Sequence, residues 1–136
     1  MRVALVTFIQ GDQSGSRGIL SKLENGSASR GNQVEVFDGF KDLLNTRLTI
    51  FDYFAVLYKP SGFFGGKLPS RIAEFLATSG IVAGKKGCAL VLKHGFSGAK
   101  QCRSLMKILE AEGLMLDYFD IVRDEEHASA VGKKIG

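Results

Sequence analysis

Serine, glycine and arginine residues gather directly after the first apolar run of the chain, residues 3–9. Ser14, Gly15, Ser16 and Arg17 precede a stretch with helical spacing of apolar residues. Hydroxyls, backbone N–H groups at a helix start and an arginine can hold an anion, because the unpaired donors and the helix dipole favour negative charge. Serine is also a preferred helix N-cap, and a first-turn arginine is commonly a solvated charge. These residues therefore predict either an anion site or an ordinary helix start.

Two adjacent phenylalanines, Phe63 and Phe64, lie in the glycine-rich segment from Lys59 to Lys67, KPSGFFGGK. The proline and the glycines keep this segment out of regular structure. Two neighbouring aromatic rings on a loop cannot both enter a regular core, so we expect them to pack on a ligand or on a partner subunit. The two lysines are either surface charges or cations close to that ligand.

A third segment of the same kind is HGFSG, residues 94–98. Its first residue, His94, follows an apolar run and is a weak catalytic candidate, because a titratable imidazole there could reach a ligand; a solvent-facing role is the alternative. The other histidine, His127, follows three acidic residues and is predicted to lie at a solvated helix start. Cys88 and Cys102 have no metal-ligand or catalytic-base pattern beside them and are predicted to be small core residues.

Strands and helices alternate along the chain. Apolar or alternating runs predict strands at 2–9, 33–37, 52–58, 88–93 and 114–122, the second of them at a sheet edge. Helical spacing predicts helices from about Ile19 to Gly31, from Pro69 to near Gly80, from Gly98 to Gly113 and over 125–134, with Gly26 weakening the first. Residues 40–48 form a brief helix or a loop.

This alternation requires a parallel sheet with right-handed crossovers and helices on both faces. Ligands of such sheets lie beyond the carboxyl ends of the strands. The three glycine-rich segments follow the first, third and fourth predicted strands, so they should meet at that edge. The sequence thus predicts a binding site there.

Composition agrees with one globular domain. The chain has 136 residues, 45% hydrophobic content and 17 glycines, where average usage would give about ten. A net charge of +4 suits an anionic ligand or an acidic partner and is too small to indicate nucleic acid. The first apolar run is too short to span a membrane, and two cysteines indicate neither a disulfide framework nor a zinc site. We expect a cytoplasmic protein.

With this order of elements, the chain resembles the flavodoxin family and its relatives, the FMN-dependent NAD(P)H:quinone and FMN reductases, over essentially its whole length. The most specific part is KPSGFFGGKLP, Lys59 to Pro69, followed by an amphipathic helix. Asp52-Tyr53 before the third strand, the glycine-rich turn after the fourth strand and AVGKK, residues 130–134, are also similar to the family. The resemblance implies a flavodoxin-like fold with a five-stranded parallel sheet in the order 2-1-3-4-5.

The resemblance also implies an FMN site. The phosphate would lie on residues 14–17, and the flavin ring would lie between the loops after the third and fourth strands. The implied cofactor-binding residues are Ser14, Gly15, Ser16, Arg17, Pro60, Ser61, Gly62, Phe63, Phe64, Gly65, Gly66, His94, Gly95 and Phe96. The implied activity is electron transfer to a redox partner protein, or NAD(P)H-dependent reduction of a flavin or of a small-molecule acceptor such as a quinone, and a homodimer is possible.

The first loop departs from the family pattern. Between Thr7 and Ser16 it is longer than the family's phosphate loop by about two residues, and it places Asp12 near the expected phosphate, where a carboxylate opposes anion binding. The chain is also basic, whereas electron-carrier flavodoxins are typically acidic. These departures leave open a reductase, or a non-enzymatic binding or regulatory module that kept the fold and lost FMN.

Overall fold

The structure is a computed structural model that describes residues 1–11, 13–42, 48–60, 67–78, 82–95 and 97–136. The described residues form five strands and four α-helices, which alternate except that β3 follows β2 directly. The strands are β1 (Arg2–Ile9), β2 (Gln33–Asp38), β3 (Tyr53–Lys59), β4 (Lys86–Leu92) and β5 (Met115–Val122). The helices are α1 (Arg17–Ala28), α2 (Arg71–Thr78), α3 (Gly98–Ala111) and α4 (Glu125–Gly132).

All five strands are parallel and lie in the order β2-β1-β3-β4-β5, which confirms the predicted order 2-1-3-4-5. The two outer strands are half exposed, whereas almost every residue of β1, β3 and β4 is buried. Their unbroken apolar sequences follow from this position, since helices cover both faces of an inner parallel strand.

Two hydrophobic clusters fill the space between the sheet and the helices. On one face, α2 and α3 contribute Phe75, Leu76 and Leu105 to a cluster with Phe54 and Val56 of β3. On the other face, α1 and α4 pack residues such as Leu23 and Val131 against the alternate residues of the same strands. Alternation along β3 thus assigns each side chain to one of two cores.

α1 and α4 pack closely because glycines face each other at their crossing. A Cβ added to Gly26 would lie 2.8 Å from the Ser129 carbonyl oxygen, and one added to Gly132 would lie 2.5 Å from the Leu23 carbonyl oxygen. Nearby, the Ser27 hydroxyl donates to the Ile135 carbonyl at 2.9 Å. The sequence interpretation of Gly26 as a weak point of α1 is therefore incomplete, since this residue sets the distance between two helices.

Several boundaries differ from prediction by one or two residues. β3 begins at Tyr53, one residue later than predicted. Asp52 precedes the strand, and its side chain accepts a hydrogen bond from the Arg2 backbone N–H at 2.9 Å. β4 begins two residues earlier than predicted, since Lys86 and Gly87 already pair with β3. Of the predicted helix or loop at 40–48, residues 43–47 lie outside the described residues, as do residues 79–81 at the predicted end of α2.

None of the helices in the described segments is long and apolar enough to cross a membrane.

Gly132→Ala should destabilise the ligand-free protein by about 1–3 kcal/mol, because a methyl group at this position overlaps the α1 backbone. Guanidinium unfolding followed by circular dichroism measures the change. Gly15→Ala is the matched control, because its added Cβ meets nothing within 4 Å, and it should change stability by less than about 0.5 kcal/mol. Equal losses in the two variants would contradict the proposed helix contact.

Candidate functional site

The first loop carries the chain from β1 into α1 by a short 3-10 turn. Gly11 has a φ of +82°, which suits glycine, and Ser14–Ser16 then form the turn that continues directly into α1. The Ser16 N–H donates to the Gln13 carbonyl at 3.1 Å. The predicted residues Ser14, Gly15, Ser16 and Arg17 therefore lie together at the start of a helix of 12 residues, where backbone N–H groups lack helical partners.

Ser16 is the residue of this loop whose side chain most clearly lacks a hydrogen-bond partner. It is only 1% exposed, and its hydroxyl has no hydrogen-bond partner within the described structure. Ser16 is the N-cap of α1, but its side chain makes no capping bond there, so the N-cap interpretation does not account for the hydroxyl. A buried unpaired hydroxyl costs about 1–3 kcal/mol. A bound phosphate oxygen would remove that cost.

A cavity of about 400 Å³ lies beside this helix start. Gly11, Gln13 and Ser14 line it together with two cationic side chains, Arg17 and Lys41. Its volume falls within the range of small-molecule sites. Lys41 follows β2 and was not a sequence candidate, because its proximity to α1 arises only from the pairing of β1 with β2.

The loops after β1 and β3 begin side by side. The Gln10 N–H donates to the Lys59 carbonyl at 3.2 Å, and the Tyr58 hydroxyl donates to the Gln10 side-chain carbonyl at 3.5 Å. Pro60, directly after β3, is buried. The other predicted residues of this loop lie outside the described residues, as do Asp12 and Phe96; they are Ser61, Gly62, Phe63, Phe64, Gly65 and Gly66.

The connection from β4 to α3 contains two more buried polar side chains. His94 and Gly95 are partly buried, and Gly95 has a φ of +74°. The Ser97 hydroxyl is buried, and Gln101 is 2% exposed; neither side chain has a hydrogen-bond partner in the described parts of the chain. Unpaired polar groups thus lie at the starts of both α1 and α3, the two helices that leave the carboxyl edge beside the predicted ligand.

Helix geometry places Gln101 on the α2 side of α3. α3 packs between α2 and β5, and the β5 side carries Ala99, Arg103 and Met106. Gln101 is two residues from Ala99, hence about 200° around the helix. Sequence reasoning missed Gln101 because it read this helix for its apolar face; the available signal was an uncharged polar residue directly beside Cys102.

A second polar network lies at the carboxyl end of β5. The Tyr118 hydroxyl donates to the Asp120 carboxylate at 2.6 Å, and the His127 Nε2 atom lies 3.3 Å from the same group. Partial burial opposes ionisation of Asp120, but the Tyr118 hydroxyl, the Ile121 N–H and His127 outweigh it and lower the pKa of this carboxyl. The prediction of a solvated His127 is wrong in this respect: the side chain is 16% exposed and joins α4 to β5.

The cysteines are core residues, as the sequence predicted. Cys88 and Cys102 are buried and free of disulfide bonds. Burial raises the pKa of the Cys88 thiol to about 12 and raises that of Cys102. Neither provides a thiolate near neutral pH.

Asp120→Asn should lower the unfolding free energy at pH 7, and the deficit should shrink as the pH falls. The reason is that a carboxyl with a lowered native pKa stabilises the fold fully above its unfolded pKa and loses this contribution as the pH falls through the native pKa. Urea unfolding at several pH values between 3 and 7 measures the deficit. Glu110→Gln, at an exposed position of α3, is the control, and a deficit for Asp120→Asn that is constant with pH would contradict the linkage.

Comparison with known proteins identifies relatives by fold alone. No protein-family model matches the chain, and no curated protein matches it. Solved structures do match. A flavodoxin from the domain Archaea is 18% identical with a TM-score of 0.72, covering 99% of this chain and 96% of its own. Flavodoxin 1 from Bacillus cereus is 14% identical with a TM-score of 0.71, covering 97% and 95%.

An enzyme also appears among these structures. The NAD(P)H:quinone oxidoreductase from Methanothermobacter marburgensis is 15% identical with a TM-score of 0.66, covering 98% of this chain and 95% of its own. At such identities the similarity is one of architecture. It extends over the whole sheet and both helical layers.

Proposed function

We propose that this chain, which has the flavodoxin-like fold, is an FMN-binding redox protein. The observation that carries the proposal is the buried, unpaired hydroxyl of Ser16 at the start of α1. The next residue, Arg17, lines a cavity together with Lys41. A phosphate monoester offers the acceptor oxygens and the negative charge that this arrangement lacks. The solved structures of similar fold include flavodoxins and quinone oxidoreductases, which supports the same reading.

In this proposal residues 14–17 hold the phosphate. The Ser16 hydroxyl and the backbone N–H groups at this helix start that have no carbonyl partner donate to its oxygens, while Arg17 and Lys41 offset its charge. Residues 60–66 and 94–96 enclose the flavin ring, as the resemblance implies. The amide of Gln101 is a further polar group that this side of α3 offers to the ligand.

Bound FMN would supply one- and two-electron chemistry, and the protein would supply position, electrostatics and exclusion of water. The cations near the first loop would stabilise the dianionic phosphate. The electron acceptor in the proposal is a redox partner protein or a small molecule such as a quinone.

The unpaired buried groups also argue against the alternative of a binding module that has lost FMN. A module without a ligand at this edge would retain the desolvation cost of Ser16, Ser97 and Gln101 with nothing to offset it. Replacement of these residues by apolar ones would be expected in such a module. The longer first loop with Asp12 is the feature that loss of FMN would explain most simply.

An absorption spectrum between 350 and 500 nm of the protein purified without added flavin tests the proposal. Flavin absorbance, or quenching of added FMN fluorescence, is the expected result. Colourless protein that leaves FMN fluorescence unchanged would refute it. NAD(P)H oxidation with a quinone present then separates a reductase from an electron carrier, because only a reductase exceeds the rate of free flavin.

Ser16→Ala should weaken FMN binding roughly tenfold while leaving the stability of the flavin-free protein unchanged or slightly higher. The loss of affinity follows from a missing bond to a charged group, and the stability result follows from removal of an unpaired buried hydroxyl. Fluorescence titration and urea unfolding measure the two effects.

Ser27→Ala is the matched control, at a buried serine of the same helix. Its hydroxyl donates to the Ile135 carbonyl and accepts from the Asn32 amide at 3.2 Å. This variant should lose about 1–3 kcal/mol of stability and keep its FMN affinity. A parallel response of the two variants would show that Ser16 has only a structural role.

A further inference from the structure

A groove lies between α3 and β5, on the opposite side of α3 from Gln101. We call it the α3–β5 groove; its volume is about 390 Å³, and Cys102, Met106, Phe119 and Ile121 give it a largely apolar lining. Phe119 is 59% exposed although it is one of the largest apolar side chains of the chain. An exposed aromatic ring beside an apolar groove marks a surface that gains free energy when it is covered.

A second cavity, of about 470 Å³, continues the groove at the carboxyl edge of the sheet. The two share Ala99, Asp120 and Ile121 as lining residues, so they form one continuous depression. Unlike the groove, this end cavity has a polar lining that includes Lys93 and Arg123. The depression therefore has an apolar half and a basic half.

The charge balance of the end cavity favours an anion. Its carboxylate, Asp120, is already engaged by the Tyr118 hydroxyl and His127. His127 is held in place, since its Nδ1 atom accepts a hydrogen bond from the Arg123 backbone N–H at 3.1 Å. Lys93 and Arg123 are the exposed cationic side chains of this cavity. The Arg123 Nε–H also contacts the His127 Nδ1 atom at 3.5 Å, and both cations offer positive charge to a ligand.

Backbone N–H groups add further hydrogen-bond donors that favour an anion. Gly98 and Ala99 line the end cavity and are the first two residues of α3, where N–H groups lack helical partners. Because residue 98 is glycine, no side chain at this position fills the cavity: a Cβ there would lie 3.3 Å from the Ile121 side chain. Each of these features would have a weak effect alone, but they surround one cavity that opens into an apolar groove.

We propose that the α3–β5 groove and its end cavity bind one amphipathic anion. Its aromatic or aliphatic body would lie along Phe119 and Met106, and its phosphate or carboxylate would lie between Lys93 and Arg123. A combined site of this size accommodates a small molecule rather than a protein surface. The end cavity shares one lining residue, Gly95, with the loop proposed to enclose the flavin ring. The depression contains none of residues 14–17 and lies on the opposite side of α3 from Gln101, so the proposal does not require FMN.

Calorimetric titration with 1-naphthyl phosphate tests this site, with 1-naphthol and inorganic phosphate as its two separate halves. We expect the intact probe to bind roughly tenfold more tightly than either half, because each half uses one part of the depression. Titration is repeated with excess FMN. Unchanged affinity is expected, and displacement by FMN would overturn the proposal by placing the probe in the flavin site.

Two pairs of variants localise the binding. Phe119→Ser should weaken it roughly tenfold, whereas Met115→Ser should not, although Met115 is equally exposed on the same strand. Lys93→Gln combined with Arg123→Gln should have a similar effect to Phe119→Ser, whereas Lys107→Gln on α3 should have none. All five positions are exposed, so the variants should fold.

The outcomes are distinct. Equal affinity for 1-naphthol would reduce the site to an apolar surface, and equal affinity for inorganic phosphate would reduce it to a weak ion site; either result overturns the proposal. Comparison of 1-naphthyl phosphate with 1-naphthoate then identifies the preferred head group, and both anions should bind more weakly when the two cations are removed.

Discussion

The structure depends on the burial of both faces of its inner parallel strands. β1, β3 and β4 have almost no exposed residue, and a parallel strand can be buried in this way only when helices cover both sides of the sheet. Parallel strands also require crossover connections, and β1, β3, β4 and β5 are each followed by a helix. Every β-to-α connection consequently leaves the same edge, and this brings together residues that are distant in sequence.

The same edge is where the fold leaves polar groups unsatisfied. The interior elsewhere pairs its polar atoms well: Ser27 bonds to the Ile135 carbonyl, and the Tyr53 hydroxyl donates to Asp117 at 2.5 Å. Ser16, Ser97 and Gln101 break that pattern, all within or just before the first turn of a helix that starts at the carboxyl edge. Unpaired polar groups lower the stability of the fold, and such a cost at one edge of an otherwise well-paired domain is typical of a binding site.

The sequence predicted the elements more completely than it predicted the site. Runs such as residues 2–9 and 88–93 indicate a buried strand directly, because almost every residue of an inner strand is buried. The strand order followed from a family resemblance. The close contact of Gly26 with Gly132 could not be read, since it joins helices about a hundred residues apart. Lys41 was not among the candidates because its proximity to α1 arises from the pairing of β1 with β2. Gln101 lies on a helix whose sequence pattern indicates mainly an apolar face, and the pairing of Asp120 with His127 depends on how α4 packs against β5.

The start of α3 shows how one element can serve two sites. Ala99 and Arg103 border β5 and the α3–β5 groove, while Gln101, about 200° away around the helix, lies toward α2. The sheet agrees with this separation, because Gly95 after β4 lines the end cavity on the β5 side, while β3 lies on the other side of β4. Unpaired polar atoms characterise one side, and an exposed aromatic ring with two cations characterises the other. A single small ligand would not satisfy both, since Gln101 and the groove residues lie about 200° apart around α3.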